Sequence, residues 1–267
     1  MADFQDRIDM SWGTSVPQNS QFKLHNHNTY EIYIYVSGDA VFHVEGSTFE
    51  LSPYDILFIP PDEMHRVWHR SESLYNRVII NVPRTYFEKN NITEYEKILS
   101  ANSANKRCKI SGKDTVKSGI KDIVSKLINC ISNGETIDSP IVNSYFIELL
   151  YTMCNIDTFD TIKSRDHKVQ NAIDYINLNF CSPITLDDVS KNIFISKYHL
   201  CRMFKNATGY TVNGYINHRR LMFVDELVRS GNHNLREASM LAGFGSYTNF
   251  YRLYKKENRI SPKEGVK

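Results

Sequence analysis

No run of about 18 apolar residues occurs anywhere in this 267-residue chain, so no membrane span is expected. The leading Met1-Ala-Asp-Phe-Gln-Asp-Arg7 lacks the apolar centre of a secretory signal. Cys-x-x-Cys pairs are also missing. The five cysteines, at 108, 130, 154, 181 and 201, form an odd set without ligand spacing, which argues against a disulfide framework or a zinc ribbon and for a reducing, cytoplasmic setting. Low-complexity tracts are absent, and a net charge of only +2 says nothing by itself about partners. With 41% hydrophobic residues, the length suffices for two domain cores.

Charge is unevenly placed. Up to residue 165 there are 17 Lys and Arg against 21 Asp and Glu; beyond it there are 15 against 9, so the carboxy-terminal part carries +6. Such a field attracts phosphate. That basic part also contains a repeat. Thr185-Leu-Asp-Asp188 and Asn234-Leu-Arg-Glu237 each pair a capping residue with an acid three positions later. Each leads through a small residue, Ser190 or Ser239, to a turn, Asn192-Ile-Phe-Ile195 or Ala242-Gly-Phe-Gly245. Then come Ser196-Lys-Tyr-His-Leu-Cys-Arg-Met-Phe-Lys205 and Ser246-Tyr-Thr-Asn-Phe-Tyr-Arg-Leu-Tyr-Lys255. The copies are offset by 49 residues before the turn and 50 after it, so the second holds one extra residue.

In the first post-turn helix Leu200, Met203 and Phe204 share a core-facing stripe, matched by Phe250, Leu253 and Tyr254. The opposite stripe is Tyr198, Cys201, Arg202 and Lys205 in one copy and Thr248, Tyr251, Arg252 and Lys255 in the other. Arg can bond a guanine edge bidentately, hydroxyl and amide groups reach other bases, and a terminal Lys suits phosphate. A charged stripe is ordinarily just a solvated face; its recurrence at one register after two capped turns favours reading of double-stranded DNA. Between the copies, Val212 to Arg229 has helical spacing in Ile216, Leu221, Val224, Leu227 and Val228, a rod of roughly 27 Å at 1.5 Å per residue. Val169, Ala172, Ile173 and Ile176 mark a scaffold helix ahead of the first copy, stopping near Ser182-Pro183.

Ile184-Thr-Leu-Asp-Asp-Val-Ser190, Ser196 through Thr208-Gly209, Tyr215-Ile216, Arg220-Leu221, Ala242-Gly-Phe244 through Lys256, and Ser261-Pro262 together resemble the DNA-binding domain of AraC/XylS-type transcription regulators. The resemblance covers about residues 166 to 264 and implies helix-turn-helix modules at about 185–206 and 234–256. It also implies base-edge contacts at Tyr198, Cys201 and Arg202 and at Tyr247, Thr248, Asn249 and Arg252; with the rest of the two helix starts and outward stripes, the expected DNA-binding set adds Ser196, Lys197, Lys205, Ser246, Tyr251 and Lys255. Ser190 and Ser239 stand where the family favours Ala, Val224 stands where a small residue is usual, and Asn258-Arg259 replaces its usual glycine. Asn258 is expected to take the left-handed cap.

The remaining chain, 1–160, reads as a domain of its own. Short β-rich runs at 30–36, 40–44, 48–51, 56–59, 66–69 and 75–82, punctuated by Gly38-Asp39, Glu45-Gly46, Ser52-Pro53 and Pro60-Pro61, predict an all-β barrel or sandwich. On an extended path His25, His27, Glu31, Tyr33 and Tyr35 share one face, with Ile32, Ile34 and Val36 on the other. His25-x-His27-x3-Glu31-x6-Gly38 is similar to the first motif of the cupin barrel, where such residues often hold a divalent metal. Counting on from Pro53 through Asp55, the second motif's histidine position is Phe58, and His65 comes too late without a change of backbone path. His25, His27 and Glu31 are then an incomplete metal set, no cofactor is expected, and chelation should have little effect. The expected use of the face is a small-molecule effector pocket of His25, His27, Glu31, Tyr33, Tyr35, His43, His65 and Trp68, whose aromatic faces and polar tips suit a sugar or polyol.

Residues 114–155 return to helical spacing, with stripes of Val116, Ile120, Ile123, Val124, Leu127, Ile128 and Ile131, then Val142, Tyr145, Phe146, Leu149, Leu150 and Met153. They can cover the barrel or form a homodimer contact. Thr158 through Lys168, polar and charged, reads as a linker. The whole is expected to be a non-enzymatic, effector-responsive regulator, an activator engaging RNA polymerase, with an all-α carboxy-terminal domain from 166 to 267. The alternative is a metal-dependent cupin enzyme fused to a DNA-binding domain.

Overall fold

The structure is a computed structural model that describes residues 8–16, 25–44, 47–61, 63–104, 108–156 and 167–265. The turn at Glu45-Gly46 and most of the expected linker lie outside the described residues. The chain divides into two compact units between Ser164 and Arg165.

The first unit contains β1 (Asp9–Ser15), β2 (Tyr30–Ser37), β3 (Ala40–Val44), β4 (Ser47–Glu50), β5 (Ile56–Ile59), β6 (His65–His69) and β7 (Tyr75–Val82). After them come α1 (Arg84–Lys89), α2 (Thr93–Ala104), β8 (Lys109–Ile110), α3 (Gly112–Lys117), α4 (Ile120–Ser132) and α5 (Pro140–Cys154). A five-stranded sheet ordered β1-β7-β2-β5-β8 faces a three-stranded sheet ordered β4-β3-β6, and the strand pairings among the described residues are antiparallel. The two sheets form an unclosed, cupin-like sandwich with appended helices.

Both faces of the larger sheet are covered, which is why β2 is buried along six consecutive residues despite its alternating sequence. Ile32 and Ile34, with Ile56, Phe58, Val78 and Ile80, pack against Ile120, Val124 and Leu127 of α4 and Phe146, Leu149 and Leu150 of α5. Tyr33 and Tyr35, with Leu57 and Ile59, meet Phe42, Val44, Phe49 and Val67 of the smaller sheet. The helical stripes are thus used within the chain. They also begin later than expected: Gly119, at φ +81°, separates α3 from α4, and Val116 is left exposed on α3.

The second unit is all-α: α6 (His167–Asn179), α7 (Leu186–Asn192), α8 (Lys197–Thr208), α9 (Val212–Arg229), α10 (Leu235–Leu241), α11 (Tyr247–Asn258) and α12 (Pro262–Gly265). Both capping boxes form. Thr185 and Asp188 exchange bonds at the start of α7, as do Asn234 and Glu237 at the start of α10. Ser190 and Ser239 satisfy their buried hydroxyls by donating to the carbonyls of Asp187 and Arg236, at 2.9 and 2.8 Å. Val224 is fully enclosed with Phe244, Phe250 and Tyr254. The left-handed residue after α11 is Arg259, at φ 61°; Asn258 is instead the last residue of the helix.

Candidate functional site

Two sites emerge, one in each unit. In the second, α7–α8 and α10–α11 repeat one geometry. Ile195 N donates to Ser190 O at 3.1 Å and Phe244 N to Ser239 O at 3.0 Å, so the turns superimpose at an offset of 49 and the extra residue is Gly245. Ser196 and Ser246 then cap α8 and α11, accepting from the amides of His199 and Asn249. Burial of Leu200, Met203 and Phe204 turns Tyr198, Cys201, Arg202 and Lys205 outward; burial of Phe250 and Tyr254 does the same for Thr248, Asn249, Tyr251, Arg252 and Lys255. Lys197 is exposed but shares its charge with Asp187 at 2.7 Å. Tyr247 differs from the others: it is half-buried, packs on the second copy's core, and its ring lies 5.6 Å from that of Phe250.

α9 is tied to the first copy's scaffold by Arg220, which donates to the carbonyls of Phe180 and Ser182 at 2.6 and 2.8 Å. These bonds satisfy carbonyls left over where α6 ends. A shallow surface hollow over α10, lined by His233, Arg236, Glu237, Met240 and Leu241, includes none of the residues on the two outward stripes.

The sandwich separates the expected effector residues into three groups. The first is a cluster of His25, His27, Glu31 and His65, whose ligand-type atoms all lie within 4.8 Å of one another. His65 therefore reaches the first-motif residues, against the spacing argument. The backbone does change path: His25 and His65 form an isolated antiparallel bridge, each amide donating to the other's carbonyl at 3.0 and 2.8 Å. Phe58 was never the equivalent position. It faces the helical core and stacks on Tyr30 at 5.4 Å. Asp55, buried nearby in sequence, accepts from the amides of Ser52 and Gly112 and pairs with Lys109, tying a turn to α3.

Within the cluster, His27 Nε2 lies 3.0 Å from Glu31 Oε2 and His65 Nε2 lies 3.5 Å from it. Burial alone would raise the Glu31 carboxyl, but His65 and His27 outweigh it and hold the group far below the usual carboxylate range. Burial conversely opposes the charge on His65, and Glu31 overcomes that to raise it.

The second group, Tyr33 and Tyr35, is packed between the sheets, Tyr33 at 1% exposure and hydrogen-bonded to the Tyr75 hydroxyl. Around Tyr75 stand two residues not singled out from sequence. The ring of His69 meets it edge-on at 4.4 Å, and the Arg77 guanidinium lies 4.9 Å from its centre. Burial, with Arg77 assisting, pushes His69 down to about 4.

The third group departs from expectation. β3 pairs with β6 so that Phe42 opposes Val67 and Val44 opposes His65 on the inner face, whereas His43 opposes Arg66 and Val41 opposes Trp68 on the outer one. Trp68 is 41% exposed under the Arg66 guanidinium, and His43 bonds Thr48 on that outer face. Neither reaches the interior.

A family model described as an AraC-like ligand binding domain matches residues 14–150, just over half the chain, and one described as a helix-turn-helix domain matches residues 189–266. Among curated proteins the chain is similar to the HTH-type transcriptional activator RhaS of Salmonella schwarzengrund, with 21% identity over 253 residues, 93% of this chain and 88% of that one. RhaS of Klebsiella pneumoniae is 21% identical over 249 residues with the same coverage. Among solved structures, ToxT from Vibrio cholerae O395 is 12% identical over 97% of each chain with a TM-score of 0.43.

Proposed function

Because this chain belongs to the AraC family of transcriptional regulators, with an AraC-like ligand-binding domain followed by a helix-turn-helix domain, we propose that α8 and α11 enter adjacent major-groove segments of double-stranded DNA. Tyr198, Cys201 and Arg202 read base edges from the first copy, and Thr248, Asn249, Tyr251 and Arg252 from the second. Lys197, Lys205 and Lys255 meet phosphates. The carrying observation is the recurrence of one outward stripe, ending in Arg and Lys, on two helices held by the same capped turn. A guanidinium gives bidentate base contact, while an ammonium is a point charge without sequence preference.

The sandwich is the sensing half, consistent with its polar interior of Glu31, Tyr33, Tyr75 and His69. A sugar or polyol suits its aromatic and hydroxyl groups. Effector binding shifts the population of DNA-competent states in a homodimer, and the output is activation with RNA polymerase, as the name of the RhaS relatives suggests. The chain acts in the cytoplasm as a regulator, not an enzyme. Among the described residues no helix is long and apolar enough to cross a membrane.

The test compares Arg252→Ala with Lys255→Ala on a preferred site and on single-base variants of it. Arg252→Ala should cost about 1–3 kcal/mol and lose discrimination at one or two positions, whereas Lys255→Ala should weaken all sequences alike and flatten the salt dependence. Equal losses on specific and random DNA in both variants would refute the assignment of the recognition face.

A further inference from the structure

We propose that His25, His27, Glu31 and His65 form a binding site for one divalent first-row transition-metal ion.

The donor set is three imidazoles and one carboxylate, which suits Zn(II), Co(II), Ni(II), Cu(II) or Fe(II) and not the all-oxygen preference of Ca(II) or Mg(II). Metal–donor bonds of 2.0–2.1 Å set donor–donor separations of about 3.4 Å in a tetrahedron, and about 2.9 and 4.1 Å in an octahedron. The Glu31 oxygen already lies 3.0 and 3.5 Å from the His27 and His65 nitrogens. The widest separation, within 4.8 Å, needs less than about 1.5 Å of closure to reach the tetrahedral value. His25 is the exposed member and has the most room to move.

A second, independent observation concerns the orientation of the rings. His27 Nδ1 lies 2.9 Å from Thr29 O, and His65 Nδ1 lies 2.8 Å from Glu63 O. Anchored through Nδ1, both rings turn Nε2 to the cluster, toward the Glu31 carboxylate. Metal-binding histidines are oriented by this kind of outer hydrogen bond. His65 is 1% exposed, and its Nε2 faces the Glu31 carboxylate at 3.5 Å inside the cluster. A divalent cation at the cluster centre would be held by both Nε2 atoms and the carboxylate together, with the rings neutral. The reciprocal backbone bridge between His25 and His65 holds two donors from segments 40 residues apart, so little ordering entropy remains for binding.

The site sits in the half read above as sensing effector, and its regulatory meaning, that a metal ion is the effector or holds it, rests on that reading; metal binding does not. The test uses the full chain, dialysed against EDTA and titrated with Co(II) by visible absorption and with Zn(II) by calorimetry. One equivalent should bind, with Co(II) bands of nitrogen and oxygen ligation. His27→Ala and Glu31→Gln should each weaken binding by at least the 10–100-fold loss that removing an outer-shell partner causes. Zn(II) should raise the melting temperature of the wild type and not of the variants. Circular dichroism establishes that each variant is folded; His27→Ala, at a half-buried position, is the safer one. No stoichiometric binding by the wild type, or unchanged affinity in both folded variants, overturns the site. If the wild type binds one equivalent but its affinity for promoter DNA is the same with and without Zn(II), the site stands and its part in effector sensing is overturned.

Discussion

The tandem repeat contains a paired experiment on backbone strain. Phe194 and Gly243 occupy the same position of the two helix-turn-helix turns, and both are left-handed, at φ 56° and 84°. Their amides donate to equivalent carbonyls, Lys191 O at 3.3 Å and Met240 O at 3.0 Å. In the first copy a bulky residue holds this conformation with its side chain 90% exposed, so the strain has no packing return. A left-handed residue with a Cβ costs about 1–2 kcal/mol, and glycine returns about 0.5–1 kcal/mol of that as lost backbone entropy. Phe194→Gly should therefore stabilise the carboxy-terminal unit by about 0.5–1 kcal/mol, or about 2–8 °C for a unit of roughly 100 residues. In the second copy a Cβ on Gly243 would stand 2.5 Å from Cys181 O, a backbone atom that cannot swing away. Gly243→Ala adds that overlap, about 1–3 kcal/mol, to the left-handed cost, for a loss of about 2–5 kcal/mol. Scanning calorimetry of the full chain, with hydrogen exchange at α7–α8 and α10–α11 to assign the transitions, measures both. A Phe194→Gly protein that melts lower than wild type would refute the strain argument. One that melts higher but loses DNA affinity would give the exposed ring a binding role.

Two further perturbations act on the same unit. Burial pushes the Asp225 carboxyl up to about 6 despite attraction by Arg229 and a hydrogen bond from Tyr254. A folded value above the ordinary 3.8 means stability is fullest below that pH and is lost as pH rises through about 6, by up to about 2–3 kcal/mol. Asp225→Asn keeps an acceptor for Tyr254, so urea midpoints at pH 5 and pH 7.5 should draw together in the variant; an unchanged slope would contradict the assignment. Asn234 accepts from the amides of Arg236 and Glu237, both at 3.0 Å. Asn234→Ala should lower stability by about 1 kcal/mol while DNA binding at low temperature persists, as equilibrium denaturation and gel shift would register.

The carboxy-terminal unit was legible because its determinants are local. A capping box spans four residues, a recognition stripe eight, and the repeat supplies each signal twice. What sequence missed there is equally local but conformational. The choice of Arg259 over Asn258 for the left-handed cap depends on where the last i to i−4 bond falls, here Arg259 N to Lys255 O at 3.0 Å. The amino-terminal strands were readable from alternation and turn residues, except β1 and the two-residue β8. The Asp-Met-Ser-Trp-Gly-Thr-Ser sequence of β1 offers only Met10 and Trp12 as apolar alternation, and it is a strand because β7 pairs with it along seven residues.

The interior site was the hardest part to read, and the two errors there have different causes. Choosing Trp68 for the pocket was an error of parity, avoidable from sequence. Residues 65 and 68 lie three apart on one extended strand and must face opposite ways, so an inward His65 excludes Trp68 and selects Val67 and His69. Leaving His65 out of the metal set for arriving late was an error of distance along the chain, and sequence alone could not repair it. Whether a residue joins His25 and His27 is decided by which backbone amides pair across the sandwich. Here the chain leaves β5 with Phe58 committed to the helical core, passes Pro60-Pro61 and returns as β6 with its first residue bridged to His25. A slip of one residue at that bridge would bring Arg66 to the carboxylate of Glu31 in place of an imidazole. The chemistry of the cluster therefore depends on a non-local register, fixed by the burial of Phe42, Val44 and Val67 on the same inner face.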